Sequence, residues 1–182
     1  APLEGALARA YPEADVRILP EETDFNCMVT VDVQVEHVIG LFGASYRLTF
    51  DPQVLQVVDA DPTKPGVQVQ GGEIFTEDAW ENSIVDNTTG VITYTASFMT
   101  KEKEFSAQEA LLSRITFLMK DIGVSHLEFD LSGDWTHLSR NPDKVPPWDT
   151  PEIPTTWHDA MLIAAGPCRQ LFLPLVLNRA GF

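Results

Sequence analysis

Cysteine is scarce in this chain, with Cys27 and Cys168 as its only two. A structural zinc cage takes four nitrogen or sulfur ligands, so two thiols exclude one built on cysteine while leaving room for a single disulfide. The four histidines, at positions 37, 126, 137 and 158, are far apart in sequence. Basic residues are also few: 12 Lys plus Arg face 27 Asp plus Glu, a net charge of -15 that repels phosphate backbones and anionic lipid at long range. Nucleic acid is therefore not expected as a partner. No apolar run approaches the roughly 20 residues of a membrane helix, and the longest candidate, Leu171–Leu177, is broken by Pro174. Membrane insertion is not expected. Nucleophile elbow, Walker loop and paired-histidine zinc helix are all missing, so the chain is expected to be neither an enzyme nor a cofactor carrier.

What is present is period-two alternation, which sends successive side chains to opposite faces of a sheet. Cys27, Val29, Val31, Val33 and Val35 alternate with Met28, Thr30, Asp32, Gln34 and Glu36. The pattern recurs in Ala44, Tyr46, Leu48 and Phe50, in Ile92, Tyr94, Ala96 and Phe98, in Ser113, Ile115, Phe117 and Met119, and in Leu127, Phe129 and Leu131. Shorter candidates are Val16–Leu19, Val54–Val58, Ser83–Val85 and Met161–Ala164. Turn-forming clusters separate them at Pro20–Asp24, Asp51-Pro52, Asp61–Gly66, Gly71-Gly72, Asn87–Gly90 and Asp121–Gly123. Strands at this spacing predict an all-β sandwich of about nine strands in one domain. Ser106–Leu112 reads equally as a helical turn or as the lead-in to a strand.

Three segments depart from the pattern. Residues 1–13 form an N-terminal extension, and 167–182 an apolar tail. Residues 132–159 form an insertion with five prolines and with Trp135, Trp148 and Trp157, which is expected to pack on the sandwich.

The stretch GASYRLTFDPQVLQVVDADP (residues 43–62) joins an alternating strand to an aromatic-Asp-Pro turn and a second strand. Asp51 can cap that turn while Pro52 presets its φ. With NTTGVITYTASF (87–98) and EALLSRITFLMKDIGVSHLEF (109–129), it resembles the cohesin domains of cellulosome scaffolds, and the three stretches occur in the family's order. The resemblance implies a jelly-roll sandwich. Its first sheet would hold Val16–Leu19, Asn26–Val38, Val54–Val58, Ala110–Met119 and Met161–Ala164. Its second would hold Phe42–Phe50, Ser83–Val85, Val91–Met99 and Ser125–Leu131.

It also implies a non-catalytic module that docks a dockerin-like protein, carrying its own calcium, on the outer face of the second sheet. The residues expected there are Arg47, Thr49, Thr93, Thr95, Ser97, His126, Glu128 and Asp130. An extracellular or cell-surface location follows, and a first residue other than Met fits a trimmed mature segment. In the cohesin strand order Cys27 and Cys168 would lie at one end of a sheet and form a disulfide. The alternative function is carbohydrate binding, with Trp135, Trp148 and Trp157 as a row of exposed indoles on a polysaccharide. No metal site is expected. The best candidate, His126-x-Glu128-x-Asp130, places its side chains about 7 Å apart per step, wide for one ion. Asp59 and Asp61 lack the acceptor spacing of a calcium loop.

Overall fold

The computed structural model describes residues 13–21, 27–141, 152–164, 170–173 and 178–180. Strand is the only regular structure among them. The organising element is β2 (Met28–Thr49), 22 residues long. Its first half pairs antiparallel with β1 (Ala14–Pro20) on one side and with β7 (Phe105–Met119) on the other. Its second half pairs with β6 (Val91–Phe98) on one side and with β8 (Gly123–Phe129) and β9 (His137–Arg140) on the other. One strand thus enters both layers. The changeover is built at His37 and Gly40, whose φ values of 55° and 72° are left-handed. Val35 and Val38 are both buried, so regular alternation is lost between them, and Gly40 supplies the second bend without a Cβ penalty.

The first layer is completed by β3 (Leu55–Val57) and β4 (Gln70–Gly71) along β7, and by β11 (Thr155–His158), which runs parallel to β1. β14 (Asn178–Ala180) adds to β11. The second layer is completed by β5 (Ala79–Asp86) on β6, by β10 (Glu152–Ile153) on β9, and by β12 (Ala160–Ala164) on β8, with β13 (Gln170–Leu173) beyond it. The ambiguous Ser106–Leu112 segment is strand, within β7.

Between the layers lie the inward sets that alternation marked out. Val29, Val31, Val33 and Val35 are fully buried, as are Tyr46, Leu48, Ile92, Tyr94, Ile115, Phe117 and Leu127. Each such side chain contributes about 1.5–3 kcal/mol of transfer free energy. The Asp51-Pro52 corner forms as expected, with Asp51 Oδ1 accepting the Gln53 N–H at 2.8 Å. Asn87 turns its amide onto Val57, donating to its carbonyl and accepting its N–H at 3.0 and 2.8 Å. The Asn87 side chain is therefore committed to the fold.

The last strand departs from expectation. Met161–Ala164 does not lie beside β1; that place belongs to Thr155–His158, and residues 160–164 pair with β8 in the second sheet. The switch occurs at Asp159. This buried residue accepts the Phe129 N–H at 2.8 Å, turning the chain from one layer into the other. Residues 132–159 contribute β9, β10 and β11 rather than only resting on the sheets. The strand order behind the Cys27–Cys168 inference therefore differs from the one observed, and Cys168 lies outside the described residues.

Candidate functional site: the outer face of the second sheet

Alternation buries Ala44, Tyr46, Leu48, Ile92, Tyr94 and Ala96, so their neighbours on β2 and β6 face outward. Pairing lines these neighbours up in rows across four strands. One row reads Trp80, Ser97, Gly43 and Ser139; the next reads Asn82, Thr95, Ser45 and His137. A third reads Ile84, Thr93 and Arg47, and a fourth reads Asp86, Val91, Thr49 and Glu128. Of the expected residues, Arg47, Thr49, Thr93, Thr95, Ser97 and Glu128 therefore share one surface. Asp130 joins it through backbone pairing with Arg47, donating to the Arg47 carbonyl at 2.7 Å. His126 sits farther out, opposite Met161 of β12.

The polar side chains are held in place. Ser45 and Thr95 hydroxyls meet at 3.2 Å, and Thr49 donates to the Glu128 carbonyl at 3.4 Å. Thr136 accepts the Arg47 N–H at 3.1 Å and donates to the Asp130 carbonyl at 2.7 Å. Hydrogen bonds from the Ser132 hydroxyl and N–H, with Arg47 nearby, hold the Asp130 carboxyl below its ordinary range. The Arg47 Nε–H has no hydrogen-bond partner; the nearest carboxylate oxygen, on Asp130, is 3.8 Å away. That nitrogen is itself shielded from solvent, while the Arg47 side chain as a whole is 38% exposed and in ion-pair range of Asp130.

Large apolar side chains border these rows. Trp80 on β5 is 49% exposed, Ile84 63% and Trp135 55%. Between Trp135 and the two central strands runs a shallow groove of about 370 Å³, lined by Gly43, Ser45, Thr95, Ser97, His137 and Ser139. Trp80 and Asn82 fall outside the expected Ser83–Val85 strand, and Ile84, within it, was not among the expected face residues. Their period-two spacing was the available signal, masked by the acidic residues around them.

The row of three indoles does not form. Trp157 is 3% exposed and packs edge-on against Phe129 at 4.9 Å between ring centroids, so it cannot stack on a sugar. Trp148 lies outside the described residues, leaving Trp135 as the exposed member among those described.

Beside this face, at the mouth between β4 and β5, Glu81 lines a polar cleft with Lys64, Gln68 and Ser83. Burial raises its carboxyl above the ordinary 4.5, with Tyr94 and Lys64 partly opposing the shift. A raised folded-state value means that the folded protein keeps this proton at a pH where the unfolded chain has lost it. Its stabilising share is complete below the unfolded value and is lost as pH rises through the folded value. Glu81→Gln imitates the protonated form. Thermal melts across that window should show a flatter acid-side profile and a neutral-pH gain on the order of a few tenths of a kcal/mol.

Two largely antiparallel layers joined through β2 form a jelly-roll sandwich with a mixed polar and apolar outer face on the second sheet. The solved structures that share this fold are consistently cohesins. The seventh ScaB type I cohesin of Pseudobacteroides cellulosolvens matches with a TM-score of 0.62 at 18% identity, covering 92% of this chain and 98% of that one. The third cohesin ScaC of Acetivibrio cellulolyticus, in complex with the ScaB dockerin, matches with a TM-score of 0.63 at 17% identity over 84% and 99%. A non-cellulosomal cohesin from the archaeon Archaeoglobus fulgidus matches with a TM-score of 0.58 at 12% identity over 82% and 89%. No family model matches the sequence, and no curated protein does. At these identities the likeness is one of fold, which the sequence motifs had indicated.

Proposed function

We propose that this chain is a non-catalytic receptor module that docks a dockerin-like protein on the outer face of its second sheet. The observation that carries the reading is the part-exposed Arg47 side chain on an outer face that also presents exposed Trp80, Ile84 and Trp135. Aromatic and arginine anchors are what protein interfaces favour at their energetic centres. The fold supports it, since a cohesin of the same architecture is known in complex with a dockerin. A partner that carries its own calcium, an extracellular or cell-surface location and an oxidised Cys27–Cys168 pair belong to the same proposal.

Polysaccharide is the less favoured ligand, because the buried Trp157 removes one of the three expected stacking platforms. The two readings separate in one experiment, in which the domain is titrated calorimetrically against calcium-loaded dockerins and, in parallel, against soluble cellulose and xylan oligosaccharides. Saturable dockerin binding that falls about 30-fold or more in Arg47→Ala and in Trp80→Ala, and vanishes with chelator, is the expected result. Oligosaccharide binding lost in Trp135→Ala, with no dockerin bound, would overturn it.

A further inference from the structure

On the opposite side of the molecule, the outer face of the first sheet gathers carboxylates and imidazoles from four strands. Asp15 on β1 pairs directly with Glu36 on β2, and Glu36 pairs with Glu109 on β7, so three acids stand in one cross-strand row. Like charges directly opposite one another destabilise a sheet, and a row of three asks for cations. Arg17 supplies one: its Nε–H donates to Glu36 at 3.0 Å, and its guanidinium reaches Asp15 at 3.6 Å. One guanidinium against three carboxylates leaves the site negative.

Two histidines converge on the same point. His158 on β11 donates its Nε2–H to Asp15 Oδ1 at 2.6 Å, fixing that carboxylate's orientation. His37 Nδ1 lies 3.7 Å from Asp15 Oδ2. In an unbroken strand His37 would point away from Glu36, into the sandwich. The left-handed φ of 55° reverses it and places the ring outside, beside Glu36. Such a conformation strains a non-glycine residue, and strain of this kind concentrates at functional positions. Asp15, Glu36 and His37 each offer one ligand atom, and the three atoms lie within 4.8 Å of one another.

We propose that Asp15, Glu36 and His37 form a site for a divalent transition-metal ion, with zinc as the reference case and His158 as the residue that positions Asp15. Zinc binds nitrogen and oxygen at about 2.0–2.2 Å, which sets tetrahedral ligand atoms about 3.4 Å apart. Closing from 4.8 Å takes roughly 1 Å of movement, within reach of rotation about the side-chain bonds of the half-exposed His37 and of Glu36. Three protein ligands leave the fourth position open to water or to a donor from another molecule. The carboxylate-histidine hydrogen bond beside the ligand set is the usual orienting arrangement around zinc, here with the histidine supporting the carboxylate. Arg17 competes with the metal for Glu36. The site lies away from the proposed docking face, so it stands or falls independently of that reading.

The test titrates zinc chloride into the domain by calorimetry, with melting temperature as a second readout. Wild type should bind one zinc per chain saturably and melt higher in its presence. His37→Gly takes the left-handed φ without strain, so its loss of binding, about 10- to 100-fold or more, reports the imidazole and not the backbone. His158→Ala should weaken binding about tenfold. Arg17→Met should tighten it. Wild-type protein that shows no saturable zinc binding, or His37→Gly that binds zinc as tightly as wild type, overturns the proposal.

Discussion

Tyr46→Ala is expected to cost about 3–5 kcal/mol, enough to remove much of a typical domain's stability, and urea unfolding of the variant should show it directly. The residue is fully buried, its ring stacks on Tyr94 at 5.1 Å between centroids, and it meets Phe129 edge-on at 5.8 Å. Its hydroxyl crosses the core to Ser113 of β7 at 2.7 Å, a hydrogen bond joining the two layers. Burial lifts its phenol far above the ordinary value of 10, so it stays protonated throughout the range in which the protein is handled. Tyr46→Phe separates the two contributions. It keeps the ring and strands the fully buried Ser113 hydroxyl, for an expected loss of about 1–3 kcal/mol. An alanine variant that unfolds at wild-type urea concentrations would show that this cluster does not hold the layers together.

Gly90→Ala is the second large effect. Gly90 ends the turn between β5 and β6 at φ 72° and accepts the Phe50 N–H at 2.8 Å, locking that hairpin onto the Asp51-Pro52 corner. A Cβ there would lie 2.0 Å from the Phe50 carbonyl oxygen and 2.8 Å from Pro52 Cδ. The left-handed backbone alone costs an alanine about 1–2 kcal/mol, and relieving the collision requires backbone movement, for a total on the order of 3 kcal/mol. Because β5 and β6 carry Trp80, Ile84 and the threonine row, the same substitution should also weaken the proposed docking. A melting temperature within a degree of wild type would contradict the turn geometry.

The strands whose inward residues are uniformly apolar were legible from alternation alone: Val29 to Val35, Tyr46 with Leu48, Ile92 with Tyr94, and Ile115 with Phe117. Turn chemistry was legible where one residue does one job, as at Asp51. Features that depend on a partner distant in sequence were not. Nothing local to Asp159 announces that its carboxylate will meet the Phe129 N–H and move the last strand to the other sheet. Trp157 could anchor the insertion or stand exposed as a stacking platform, and the choice rests on its contact with the distant Phe129. The polar positions of β2 and β6 could be placed together on one outer surface, since period two fixes them. Those of β5 could not, because an edge strand carries polar residues on both faces. The Asp15, Glu36 and His37 cluster was invisible for a further reason: His37 breaks the very alternation by which a strand face is read.

The neighbour that closes β1 comes from almost the other end of the chain, as the Asp15–His158 hydrogen bond between residues 143 apart makes plain. During synthesis β1 and β2 are complete long before β11 emerges, and until then β1 presents an open edge with Val16 and Ile18 on one side of it. Long-range closure of this kind slows folding and exposes strand edges while the chain waits. A ribosome-bound chain ending before residue 155 therefore lacks the strand that seals its first sheet, and the nascent domain depends on its final segment to become safe from pairing with its neighbours.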